Sequence, residues 1–276
     1  MAGEDTDSRR GPARRPVRFR HHPVLRRYDD GVPSPSGPPA GPRPVARPRT
    51  PAGRARAASA ALEAVYAGRC ALVHDGPLQL LVATVLSAQT TDQRVNQVTP
   101  RLFDRYRTAQ AYADASPADL EPLIRSAGFF RAKSRTLVQL GQALACRHRG
   151  EVPQDIDQLT RLPGVGRKTA NVVLGVGFGI PGLAVDTHVT RLANLLGLVR
   201  TRDPVAIEAQ VTAMLPARAW TGFGLRLIEH GRRVCIANRP RCPLCPMAGW
   251  CPSSTTVRGR RAVAGVVARR GARPRG

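Results

Sequence analysis

Two stretches of this sequence carry residues that could work together as a nucleophile and a carboxylate. The first is Leu162-Pro163-Gly164-Val165-Gly166-Arg167-Lys168, and the second is Val185-Asp186-Thr187-His188. A lysine amine attacks electrophilic carbon and forms Schiff bases once it is neutral. Lys168 follows two glycines that flank one apolar residue. That pattern turns the chain sharply and leaves backbone N–H groups facing outward at a new helix N-terminus, a phosphate-sized anion site. The positive end of that helix and the adjacent Arg167 both disfavour the charged form of Lys168. Of 43 basic residues only Lys133 and Lys168 are lysine. Arginine holds phosphate at least as well but stays protonated, so lysine in a chain this biased fits a need for an amine. A phosphate-binding surface lysine is the plainer alternative. Asp186 precedes a helical run and reads either as an N-cap or as the carboxylate beside Lys168. The two roles are compatible, because a capping carboxylate is fixed in place.

Four of the six cysteines form a second constellation, with six, two and five residues between Cys235, Cys242, Cys245 and Cys251. Four thiols packed this closely around a C-x2-C core imply a metal site rather than disulfides. Spacing alone leaves two candidates, zinc as the default and an iron–sulfur cubane. Cys70 and Cys146 stand alone in helical patterns and read as small buried hydrophobes.

The elements that must position these groups are helical. Asp155 caps a helix with Ile156, Leu159 and Leu162 on one face. Pro163 and Gly164 stop it, and a glycine-dotted apolar helix runs over 169–179. Further helices are expected over 57–70, from Pro77 to Leu86, from Ser116 to about Ser126, and from just after Lys133 to about His148. Others are expected over 187–196, 204–215 and 220–231. Gln89 lies in the polar stop after the second of these and reads by itself as a helix-end hydrogen bonder. Phe129 and Phe130 sit at a loop beside Arg131 and Lys133, either as a wedge between bases or as ordinary core. No useful β alternation appears anywhere, so the fold class is all-α.

Net charge is +24, distributed as +7 over residues 1–54, +7 over 258–276 and +10 between them. A basic body with basic ends points to a polyanion, nucleic acid above all, with ribosome or membrane adhesion as the bland alternative. No apolar run is long enough for a membrane span or a signal peptide, so the expected compartment is the cytoplasm. Residues 1–54 and 253–276, rich in Pro, Gly and Arg, read as disordered basic arms.

The hairpin ending in Lys168, the Val185-Asp186-Thr187-His188 run and the late cysteines, in this order, resemble the endonuclease III family of DNA repair glycosylases. The resemblance spans about Ala57 to Pro252. It implies two helical lobes with DNA in the cleft between them. One is a six-helix barrel over 72–180 with its helix-hairpin-helix at 155–180; the other is a cluster lobe made of 55–71 and 181–252. It implies one [4Fe-4S] cluster on Cys235, Cys242, Cys245 and Cys251, with the nearby prolines holding that loop open. Lys168 would be the Schiff-base nucleophile and Asp186 its carboxylate. Gln89 would fill the gap left by an everted base, and Phe129 would be the wedge where the family commonly has leucine. Gly164, Val165, Gly166, Arg167, Lys133, His188, Arg191, Arg239 and Arg241 would face DNA phosphates.

The implied function is a monomeric bifunctional glycosylase and AP lyase acting on oxidised pyrimidines in damaged double-stranded DNA. Two alternatives stand beside it. One is a monofunctional adenine-type glycosylase, a branch that lacks the hairpin lysine. The other is a non-catalytic metal-bound DNA-binding module.

Overall fold

The computed structural model describes residues 47–256. Most of both expected arms therefore lies outside the described residues. Within them the secondary structure is helical, with no strand. The first helix, α1 (Pro51–Glu63), starts earlier and stops sooner than its apolar spacing suggests. Thr50 caps it by accepting the Gly53 N–H at 3.1 Å, and proline occupies the first turn, where a missing N–H costs nothing. Residues 51–54, expected in the arm, thus belong to the body.

Next, α2 (Pro77–Leu86) is buried from Leu80 through Leu86, as a helix apolar on every side must be. The sequence reading missed α3 (Asp92–Arg105) and α4 (Ala109–Ala113). Pro100 inside α3 masks a helical pattern that Val95, Val98 and Leu102 nevertheless carry, all three being buried. A full capping box between Ser116 and Asp119 opens α5 (Pro117–Ile124), which ends in a 3-10 turn over Arg125–Ala127. Then come α6 (Phe130–His148), α7 (Ile156–Thr160) and α8 (Arg167–Val172), the last running on as a π turn over Val173–Gly177. The chain closes with α9 (Thr187–Leu195), α10 (Pro204–Thr212) and α11 (Trp220–Arg233).

These helices build two hydrophobic cores. One gathers α2 to α8 around Leu80, Leu102, Leu120, Leu137, Leu144 and Leu159. The other joins α1 to α9, α10 and α11 around Leu62, Val189, Ile207, Phe223 and Leu227. The extended segment before α9 divides itself between them. Ala184 packs into the first core while Leu183 and Val185 pack into the second, the period-2 alternation of extended chain. Asp186 therefore emerges where the lobes meet. The lobes also touch at the π turn, where a Cβ on Gly175 would collide with the side chain of Thr221, whose hydroxyl donates to the Gly182 carbonyl at 3.0 Å.

Candidate active site and cysteine cluster

Local chemistry explains the hairpin. Asp155 caps α7 by accepting from the Gln158 N–H at 2.9 Å. Leu162 and Val165 then turn inward, 3 % and 5 % exposed, and anchor the turn in the first core. Gly164 has φ +75°, and a Cβ there would stand 2.5 Å from Thr136 Cγ2. Both the backbone conformation and the close approach require glycine. Gly166 has nothing within 4 Å of the Cβ it lacks, so the opposite side of the turn is open. Gly164, Gly166, Arg167 and Lys168 are exposed, and the first-turn N–H groups of α8 have no acceptor within the helix.

Asp186 is the N-cap of α9. One of its carboxylate oxygens accepts from Val189 N–H at 2.8 Å. It also lines an open cleft of about 710 Å³ with Thr187, Thr190, Arg202 and Pro204. His188, the second residue of α9, is half-buried, and burial holds its imidazole below the ordinary histidine range. Asp186 opposes that shift, whereas Arg191, Arg232 and Lys168 reinforce it. Lys168 and Asp186 themselves belong to helices of different lobes. Lys168 and Arg232 also act on the half-buried Cys70 thiol, which burial pushes up. Arg232 in turn pairs with Asp92 at 2.7 Å.

Several expected contacts stand elsewhere. Lys133 is not a phosphate contact. It is 7 % exposed, and its ammonium donates to the carbonyls of Leu86 and Ala127 at 2.8 Å each and to the Thr90 hydroxyl at 2.7 Å. Arg191 turns inward as well, donating to the carbonyls of Cys235 at 2.8 Å and Gly231 at 3.2 Å, which ties α9 to the cysteine loop. Arg167 forms a two-point ion pair with Glu208 and stays part-exposed. The phenylalanine pair divides. Phe130 packs on the first core beside Arg125 and Arg131, while Phe129 is 66 % exposed. Gln89 is likewise exposed. Cys146, expected to be buried, is exposed on α6, and Cys70 lies beyond the end of α1.

All four late cysteines are half-buried, and Cys235, Cys245 and Cys251 pack against the edge of the second core. Burial raises Cys235, Cys251 and Cys245, the last to about 11, and the fields of the other cysteines add to each rise. At Cys242 burial also acts upward, but hydrogen bonds from Thr255 and Ser254 outweigh it and the thiol is lowered. Four thiolates so placed repel one another unless a bound cationic group compensates them, which is how this donor set fits a metal centre. No three His, Cys, Asp or Glu side chains among the described residues close around a single ion. Behind the loop, the fully buried His230 has Nδ1 3.0 Å from the Tyr66 hydroxyl and Nε2 3.4 Å from Cys245 Sγ. Burial lowers His230 to about 4, so it is neutral near pH 7. Arg239 and Arg241 stand exposed on the segment between the first two cysteines.

Residues 82–217 match the HhH-GPD superfamily of base excision DNA repair proteins. The chain is 48 % identical over 195 residues to endonuclease III of Synechocystis sp., covering 70 % of this chain and 89 % of that protein. It is 45 % identical over 184 residues to endonuclease III of Bacillus subtilis, covering 66 % and 84 %. The chain belongs to the endonuclease III family. Among solved structures, a trapped covalent endonuclease III–DNA intermediate superposes with a TM-score of 0.70 at 42 % identity, covering 75 % of this chain and 98 % of that one. A thermostable thymine-DNA glycosylase shares the fold at 19 % identity, with a TM-score of 0.68. As an endonuclease III homologue the protein is a base excision repair enzyme of the DNA glycosylase and AP lyase class. No described helix is long and apolar enough to cross a membrane.

Proposed function

We propose that this enzyme removes oxidised pyrimidines from damaged duplex DNA and cuts the strand 3′ to the resulting abasic site. The observation that carries this reading is an exposed lysine in the first turn of α8 on one lobe and, on the other, a carboxylate held in place by capping α9. The protein works as a monomer on cytoplasmic DNA lying between the lobes. The open side of the hairpin and its first-turn amides hold a backbone phosphate without reading sequence. Arg239 and Arg241 add phosphate contacts from the cysteine loop. Flipping the target base costs a few kcal/mol of stacking, and Gln89 and Phe129 fill the space it leaves.

Neutral Lys168 Nζ then uses its lone pair to form a bond to C1′ of the everted nucleoside. The N-glycosidic bond breaks and its electron pair leaves with the base, while the Asp186 carboxylate stabilises positive charge on the sugar. One proton of the new ammonium passes to O4′ as the C1′–O4′ bond breaks, which opens the sugar ring and leaves the Schiff base. Loss of a C2′ proton and departure of the 3′ phosphate complete the β-elimination. Cys235, Cys242, Cys245 and Cys251 would hold one [4Fe-4S] cluster, which supplies structural cross-linking of the loop that carries Arg239 and Arg241.

Borohydride trapping on an abasic-site duplex tests the reading. Wild type should give a covalent adduct and Lys168→Gln none. Absence of an adduct from folded, DNA-binding wild type would leave a monofunctional glycosylase or a binding module.

A further inference from the structure

Lys133 is a buried cation that the chemistry above does not use. Its three N–H donors meet three acceptors, the carbonyls of Leu86 and Ala127 and the Thr90 hydroxyl, at 2.7–2.8 Å. Leu86 is the last residue of α2, and Ala127 is the last of the 3-10 turn that follows α5. Helix ends present unpaired carbonyls and partial negative charge, so one ammonium closes two helical termini at once. Thr90 also donates to the Ala127 carbonyl, which binds the two loops directly. The Lys133 backbone N–H bonds the Phe129 carbonyl at 3.0 Å.

Both loops carry a strained residue just past the clamp. Gln89 has φ +54° and Phe129 has φ +48°, left-handed backbone that neither side chain favours, and both are exposed. Strain of this kind persists only where the surroundings over-determine it. The residue type fits as well. In a chain where all but two of the basic residues are arginine, a compact tetrahedral ammonium stands where a planar guanidinium fork would not fit three converging acceptors.

We propose that Lys133 is a positioning residue: it locks the Gln89 loop to the Phe129 loop so that both side chains enter the DNA as one pre-set pair. This rests on the roles given above to Gln89 and Phe129. Pre-setting removes the cost of ordering two loops on binding, a cost met only on duplexes that the pair penetrates.

The test is the affinity of the full-length protein for a duplex bearing a tetrahydrofuran abasic analogue, with undamaged duplex as reference. Lys133→Met should weaken binding to the abasic duplex about tenfold and leave the undamaged duplex within about twofold. In a Gln89→Ala/Phe129→Ala background the same substitution should change neither. Equal loss on both duplexes with a shallower salt dependence would mean a direct phosphate contact and overturn the proposal. So would a loss that persists undiminished in the double variant. Should Lys133→Met fail to fold, Thr90→Val removes one acceptor and should give a smaller change in the same pattern. If Gln89→Ala/Phe129→Ala alone keeps full preference for the abasic duplex, the roles of that pair fail first, and the proposal falls with them.

Discussion

Arg167 and Glu208 form a two-point ion pair, 2.8 and 2.9 Å, between the hairpin helix and α10 of the other lobe. The same carboxylate accepts from the buried Asn171 side chain at 3.0 Å. Glu208 is 14 % exposed and Arg167 45 %, so the Asn171 bond and the Glu208 end contribute more than the solvated guanidinium. The pair fixes the hairpin, and Lys168 with it, against the lobe that presents Asp186. Glu208→Ala should lower stability by about 1–2 kcal/mol, chiefly by orphaning Asn171. Glu208→Gln, which can still accept from Asn171, should cost less. Urea unfolding of the two variants checks the order.

Asp186 separates two roles by choice of substituent. Asparagine caps helices as well as aspartate does, so Asp186→Asn should leave the melting temperature nearly unchanged. It should still lower base excision by about a hundredfold or more, because the carboxylate charge is gone. Asp186→Ala should lose the charge and about 1 kcal/mol of capping. If Asp186→Asn retained wild-type excision, capping would be its whole role.

Lys168→Arg keeps the positive charge and removes the nucleophile. It should bind abasic duplex within a few-fold of wild type and give no borohydride adduct, measured by gel shift and trapping on the same preparation. An adduct from this variant would move the nucleophile elsewhere.

His188 gives a pH dependence with a defined sign. Its folded pKa lies below its unfolded value of 6.5, with burial the largest cause. The unfolded chain therefore binds the proton first on acidification. The contribution of the neutral ring is complete above about pH 6.5 and is lost as pH falls through the folded pKa. Urea midpoints between pH 7.5 and 5 should decline more steeply in wild type than in His188→Gln, pH values being chosen about the histidine range.

His230 lies between Tyr66 and Cys245 with both ring nitrogens engaged. His230→Leu should orphan the buried Tyr66 hydroxyl and free the Cys245 side chain. The expected result is less iron per chain and faster bleaching of visible absorbance in air. Tyr66→Phe should show the milder form, since it removes only the outer hydrogen bond. Iron content equal to wild type in both variants would reduce this contact to packing.

The parts of this protein legible in its sequence are those governed by neighbours along the chain. Apolar spacing marked α2 over Pro77–Leu86 and the end of α6 at His148, although α6 begins at Phe130 and not after Lys133, and the caps at Ser116, Asp155 and Asp186 stand where their residue types place them. The hairpin was legible because Pro163 stops one helix and Gly164, with φ +75°, answers a local need for backbone freedom. Where local signals conflicted the reading failed, as at α3 with Pro100 inside it. Side-chain partnerships were beyond reach for a different reason. Lys133 meets Leu86 across 47 residues, Arg167 meets Glu208 across 41 and Tyr66 meets His230 across 164. No local rule selects such partners. Lys133 and Lys168 are the same residue type, each followed by a hydroxyl residue, yet one is buried among carbonyls and the other exposed at a helix start. Only the packing of two loops, and of two lobes, decided which lysine became a structural cation and which was left facing solvent.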